Sequence, residues 1–291
     1  MQAPPDSRER SIYVTRVPHH NPLISFARAL LREILNDNVI DGAAVLAFFS
    51  LLAVFPAAIF VFSLLPSLSI PHLQQAIFDL LHQVLPNQSA DFFVGTSRYA
   101  VAEGKQGLLA FELIFALWSG SAGVYTLMEQ LTVIADVKEC RPYWKVRGIA
   151  ILLMVFFASL MIGSLSLVIF GGVVQSWVAS MVGWSRPLLL FFATLRWAII
   201  SAALLFALSV AYRIGPYAKI RYRFISPGNV IAALLIAVAS IGFRIYVATF
   251  GGYDAIYGSI AAIIILMLWM YLAGFAILVG FEIDTLRQQR R

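Results

Sequence analysis

The hydrophobic positions of this chain fall into long uninterrupted runs. Six segments, residues 43–65, 108–134, 148–170, 188–212, 227–250 and 258–283, are almost wholly apolar. Each is as long as the roughly 20 residues that a helix needs to cross about 30 Å of hydrocarbon. Backbone amides in lipid must be satisfied within their own segment, and the runs lack the two-residue period of a barrel strand. The pattern predicts an all-α polytopic membrane protein with six transmembrane helices. Two periodic stretches outside the spans predict amphipathic interfacial helices. In the first, Ile24, Ala27, Leu31, Ile34 and Leu35 recur at helical spacing, with Arg28 and Arg32 on another side, as in a helix lying on an anionic leaflet. In the second, Leu73, Ile77, Leu80, Leu81 and Val84 form a stripe that stops at Pro86; a helix on the outer mouth and a solvated loop both fit it.

Local signals sharpen the boundaries. Ser226-Pro227 offers an N-cap followed by proline at the first helical position, and Pro187 can open the fourth span in the same way. Pro56 falls inside the first span, where it removes a backbone hydrogen bond; a static kink and a gating hinge are the alternatives. The chain thus divides into a cytoplasmic N-terminal segment with an amphipathic helix (1–42), a six-helix transmembrane domain (43–283) and a basic cytoplasmic tail (284–291). No low-complexity linker or internal repeat interrupts this plan.

Composition agrees: 60% of the 291 residues are hydrophobic and 12% charged, whereas a soluble domain is nearer half and a quarter. The net charge of +6 would suit nucleic acid, but its distribution points elsewhere. Sixteen lysines and arginines lie in the N-terminal segment, the 135–147 and 213–225 loops and the tail; three, Arg98, Lys105 and Arg186, lie in the opposite loops. Short cytoplasmic loops retain basic residues, so both termini are expected in the cytoplasm, with no cleavable signal peptide and no nucleic-acid partner. The single cysteine, Cys140, cannot form an internal disulfide.

Ionisable residues within the spans are the candidates for chemistry, because each needs a partner, a wet cavity or an escape to the interface. Glu112, Arg196 and Arg244 fall at similar depth in the outer half. They read either as a structural clamp or as a polar cavity whose guanidinium groups suit a phosphate or carboxylate. Nearer the cytoplasm, Glu129 follows a small-residue stretch, Ser119 to Gly123, that permits close helix packing, while Glu282 with Asp284 marks the end of the last span. The histidines, His19, His20, His72 and His82, are divided between the two sides, and no phosphate loop, H-E-x-x-H or G-x-S-x-G motif is present. No catalytic residue, metal site or cofactor is expected.

Two stretches carry a family resemblance: Leu46-Ala-Phe-Phe-Ser-Leu-Leu-Ala-Val-Phe-Pro56, and Gly251-Gly-Tyr-Asp-Ala-Ile-Tyr-Gly-Ser259 leading into Trp269-Met-Tyr271 and Gly280-Phe-Glu282. With the six spans and basic inner face, they resemble the YihY/BrkB family of bacterial inner-membrane proteins over residues 25–285. The resemblance implies an inner-membrane location and a family with a poorly defined activity, for which transport of envelope lipid or solute has been suggested; its old ribonuclease BN label finds no support in these residues. In the second stretch, Gly251 and Gly252 can turn a hairpin and Asp254 can cap the incoming helix. Alternatively, Tyr253, Asp254 and Tyr257 line a wet vestibule facing Arg196 and Arg244.

These readings favour a transporter or flippase-like protein for an anionic amphiphile, with membrane lipids as partners. A non-transporting scaffold or accessory subunit is the rival, and the oligomeric state is left open. The charge bias makes a direct prediction. In sealed, correctly oriented cells, an impermeant thiol reagent should label cysteines introduced at Gln88 and Asp254, and not those at Lys138 and Arg221. Labelling at Lys138 from outside would reverse the assigned orientation.

Overall fold

The computed structural model describes residues 22–64, 106–182, 186–217, 226–249 and 259–289. They form seven α-helices: α1 (Pro22–Asn36), α2 (Val39–Leu64), α3 (Gln106–Ile134), α4 (Tyr143–Val182), α5 (Arg186–Ile214), α6 (Pro227–Thr249) and α7 (Ser259–Gln289). The chain is an all-α polytopic membrane protein. Among the described residues, Tyr143–Ser164, Thr194–Ile214, Pro227–Tyr246 and Ile263–Gln289 are each long and apolar enough to cross a membrane. The pair Ile24–Asn36 and Val39–Val54, bent by 55°, makes a fifth crossing if it is one broken span.

The helices match the apolar runs, with two extensions. α4 continues twelve residues beyond the expected 170, and α7 continues through the start of the expected tail. Neither extension meets a proline; the second keeps good helix formers from Leu286 to Gln289, whereas the first runs on through Gly171 and Gly172. α2 runs unbroken through Pro56. The expected outer stripe, 73–84, lies outside the described residues.

Each helix from α2 to α7 packs on its neighbour in sequence, and α7 closes the series against α2 and α3 while also touching α1. The core lies at one end of this arrangement. Among the described residues, the buried side chains occupy 34–47, 119–134, 146–153, 208–216, 226–232 and 274–286, which are the ends nearest α1. Toward the far end the side chains are half-buried or exposed, and large apolar ones such as Ile162, Phe191, Val238 and Ile264 face outward. Lipid offers such side chains an environment as apolar as a core, so burial there does little to drive helix association.

Close approach at the packed end depends on small residues. Gly123 of α3 faces the Ser50 backbone of α2, and the Ser119 hydroxyl donates to the Leu52 carbonyl at 3.3 Å. Gly280 of α7 lies against the Gly228 carbonyl and the Ala232 methyl of α6, and against the Tyr212 hydroxyl of α5. That hydroxyl donates to the Ile277 carbonyl at 2.5 Å, and the Tyr212 ring meets Phe281 edge-on at 5.1 Å.

The termini of the helices are well specified. α3 ends in a Schellman motif: Val137 N–H reaches Thr132 O, Asp136 N–H reaches Val133 O, and Asp136 takes the left-handed φ of 56°. Asn38 takes the same region, φ 49°, in the turn between α1 and α2. Asn and Asp are the non-glycine residues that enter it at least cost.

A methyl group at Gly280 would stand 2.5 Å from Ala232 Cβ and 2.7 Å from a backbone oxygen, so the α6–α7 contact would have to open. Gly280→Ala should therefore destabilise the protein by about 1–3 kcal/mol, the usual cost of overpacking. Gly242→Ala, where nothing lies within 4 Å, should be neutral or slightly stabilising, because alanine is the better helix former. Melting in mild detergent distinguishes them, and equal melting of the two variants would contradict this account of the α6–α7 contact.

Candidate functional site

The ionisable residues expected in the outer half are not equally placed. Arg196 continues the bundle-facing side of α5. Phe192, Arg196, Ile200 and Leu204 are half-buried and lead into buried Leu208 and Ala211, whereas Leu195, Trp197, Ala198 and Ile199 are exposed. Its Nε is buried without a hydrogen-bond partner. Arg244 is exposed, on the side of α6 that carries Ile241 and Ile245, while Phe243 and Tyr246 are turned further inward. A long arginine stem can lie along apolar surface with its charge at the interface. Glu112 belongs to α3, but its side chain lies outside the described residues, as do Tyr253, Asp254 and Tyr257 entirely. α3 packs on α2, α4 and α7. Among the described residues the one ion pair is Arg141 with Glu139.

The opposite, packed end holds more buried polarity than the sequence reading anticipated. Glu282 and Asp284, expected to mark the interface, are 2% and 3% exposed. They point to opposite sides of α7, since two residues turn a helix by about 200°. Asp284 faces α6. Its Oδ1 accepts from the Gly228 N–H at 2.8 Å, and its Oδ2 accepts from the Ser226 hydroxyl. Ser226 in turn accepts from the Asn229 N–H at 3.2 Å, the expected N-cap geometry with Pro227 at the first helical position. One α7 carboxylate thus completes the cap of α6, and the Asn229 amide donates to Ser209 of α5 at 2.8 Å.

Glu282 faces the α1–α2 elbow, where its side chain hydrogen-bonds that of Asp37, with Glu33 and Asp136 also nearby. Burial pushes the Asp37 carboxyl above its ordinary range; the Glu282 contact opposes that rise, and Glu33 and Asp136 add to it. Asp37 was not singled out in the sequence because an Asp-Asn pair between two apolar-periodic stretches reads simply as a turn.

Arg147 behaves differently from a loop charge. It lies in the second turn of α4 and is 6% exposed. Its Nη2 donates to the Trp118 carbonyl at 2.5 Å, and its guanidinium sits 4.4 Å from the centre of the Trp118 ring and 5.9 Å from that of Tyr125. Aromatic faces and a carbonyl, rather than a carboxylate, compensate this cation. The contact arises because α4 starts alongside Tyr125, with the Tyr125 and Tyr143 rings 5.9 Å apart, so α3 projects about 13 Å beyond the start of α4. Glu129 is exposed on that projecting part, close to Tyr125. In the loop between, Arg141 donates to both Glu139 carboxylate oxygens and to the Gly215 carbonyl. Those bonds from Arg141 hold the Glu139 carboxyl below its ordinary range. No group of three or more His, Cys, Asp or Glu among the described residues is placed to hold a metal ion.

The comparisons with known proteins are consistent with this architecture. The family model described as Virulence factor BrkB matches residues 30–291. The chain is 34% identical over 268 residues to the ribonuclease-like protein YfkH of Bacillus subtilis, covering 92% of this chain and 97% of that protein. It is 28% identical over 266 residues to a UPF0761 membrane protein of Vibrio atlanticus, covering 90% and 82%. A UPF0761 membrane protein of Stenotrophomonas maltophilia is 24% identical over 283 residues, which span 94% of this chain and 63% of that relative. No solved structure matches.

The Asp284 cap gives a clear expectation. Asp284→Ala leaves a buried N–H and a buried hydroxyl without their acceptor, at about 1–3 kcal/mol for each. Asp284→Asn keeps a carbonyl oxygen for Gly228 and should lose less. A thermal melt in which Asp284→Ala matches the unmodified protein would show that the α6 cap is satisfied by other means.

Proposed function

The chain belongs to the BrkB family of membrane proteins, and from that premise we propose that it binds an anionic amphiphile within the membrane and moves it between leaflets. The observation that carries this reading is Arg196: a guanidinium on the bundle-facing side of α5, in the loosely packed half, with a buried Nε that no group among the described residues satisfies. A buried guanidinium N–H without an acceptor costs about 1–3 kcal/mol, and a phosphate or carboxylate that accepts from the guanidinium fork offsets that cost. The exposed apolar side chains next to it, Leu195, Trp197 and Ile199, would lie beside the acyl portion. Arg244 would serve as a second cation at the lipid-facing rim.

The same reading places six crossings in a bacterial inner membrane with both termini in the cytoplasm, and sets Arg28 and Arg32 of α1 near the anionic inner leaflet. The basic bias of the predicted inner loops supports this orientation. The ribonuclease-like name of the Bacillus relative is not extended to this chain, because its histidines and carboxylates form no nuclease motif. A scaffold role would instead make Arg196 part of a structural clamp with Glu112.

Native mass spectrometry of the protein in gentle detergent, loaded with phosphatidylglycerol or with a zwitterionic lipid of equal chain length, separates the two. Arg196→Gln should lower phosphatidylglycerol retention roughly 10- to 100-fold, the equivalent of about 1.5–3 kcal/mol for a charged hydrogen bond, with zwitterionic lipid unaffected. Unchanged retention together with a lowered melting temperature would favour the scaffold.

A further inference from the structure

The contact between the α1–α2 elbow and α7 joins two acids. Glu282 is almost fully buried, its side chain hydrogen-bonds that of Asp37, and its Oε2 is buried with no partner. Ionised carboxylates only accept hydrogen bonds, so a hydrogen bond between two carboxyl groups needs a proton on one of them. The charged groups that act most on Glu282 are carboxylates: Asp37 from the elbow, Glu33 from α1 and Asp136 from the turn after α3. On the same helix, Asp284 and Arg287 face one another on the other side. Neighbouring carboxylates cannot all ionise without repulsion.

We propose that Asp37 and Glu282 bind one proton between them, and that this shared proton latches the α1–α2 elbow onto α7. The elbow is suited to being held or released. It carries a 55° bend, Asn38 sits in the left-handed region, and buried core side chains lie on either side of the acid in sequence, Ile34 three residues before it and Val39 two after. α1 packs on α7 and α2 and on no other helix strongly, so its attachment rests on those apolar contacts and on the latch. With the proton present, the two oxygens share it and the elbow is closed. When the proton passes to water, two anions stand within hydrogen-bond distance in a buried site, and α1 is pushed from α7. The raised Asp37 fixes the sign: its stabilising share is complete at acid pH and is lost as pH rises through its folded-state value. The pair titrates as a unit. This inference does not depend on what Arg196 binds.

α1 also has something to expose. Phe26, Leu30 and Ile34 pack into the bundle at four-residue spacing, whereas Ile24, Leu31 and Leu35, with Arg28 among them, lie on the opposite face and are exposed. The stripe expected from the sequence is thus two stripes, one holding α1 to the bundle and one left for the leaflet.

Hydrogen–deuterium exchange of the full chain in detergent, followed from mildly acidic to alkaline pH and corrected for intrinsic exchange, tests the latch. Peptides covering residues 33–42 should lose protection by about tenfold or more at alkaline pH, while peptides from 120–134 keep theirs. Glu282→Gln supplies an amide donor to Asp37 without a titrating proton, so its elbow should stay protected throughout. Asp37→Asn does the same from the less buried side and covers the case in which Glu282→Gln fails to fold. A pH-independent elbow in the unmodified protein, or an alkaline transition that survives in the folded variants, would overturn the proposal.

Discussion

Polar groups buried at the packed end have no water to turn to, and the requirement that they find one another there determines how α5, α6 and α7 meet. The Tyr212 hydroxyl must reach a carbonyl, and the Ile277 carbonyl lies in range only because Gly280 removes a side chain one turn on. Asp284 must find donors, and the first turn of α6 supplies them because Pro227 leaves Gly228 and Asn229 with the free N–H groups of a helix start. Each of these bonds contributes about 1 kcal/mol net, but leaving any one unmade costs more than that. Their value is therefore chiefly in specificity, since a helix shifted by one residue would strand all of them at once.

The sequence revealed the helices far better than it revealed this network. Long apolar runs have few alternatives to a transmembrane helix, and the Ser226-Pro227 start and the amphipathic α1 were visible as local patterns. Glu282 and Asp284 were read as interfacial because end-of-span carboxylates usually reach water. Nothing local said that α7 would run on to Gln289 and that α1, α3 and α6 would close over it. Arg147 was counted among loop charges for a related reason. The stagger between α3 and α4 depends on how the loop climbs, which hydropathy does not encode. Of the outer candidates, Arg196 and Arg244 had a similar depth in the sequence reading but no direction; the burial pattern along α5 and α6 is what turns Arg196 toward the bundle and leaves Arg244 exposed.

The two halves of the bundle follow different physics. At the packed end, small residues and paired polar groups bring backbones together, and side chains fill the space between them. In the other half the exposed side chains of α4, α5 and α6 are large and apolar, and lipid competes on equal terms for their contact. A helix held firmly at one end and loosely at the other can change its tilt with little loss of packing. On the proposed reading, that asymmetry would let an amphiphile enter sideways beside Arg196.

α7 connects the elements on which these requirements act. On one side it meets the α1–α2 elbow through Glu282, on another it caps α6 through Asp284, and its Ile277 carbonyl receives Tyr212 from α5. The elbow acid and the cap acid are two residues apart, so a displacement of α7 large enough to break one contact strains the other. α5 carries Arg196 and α6 carries Arg244. Both arginine-bearing helices are therefore anchored, at their packed ends, to the helix that the elbow grips. On the proposed latch, a change in that grip would reach the loosely packed half as tilt of α5 and α6.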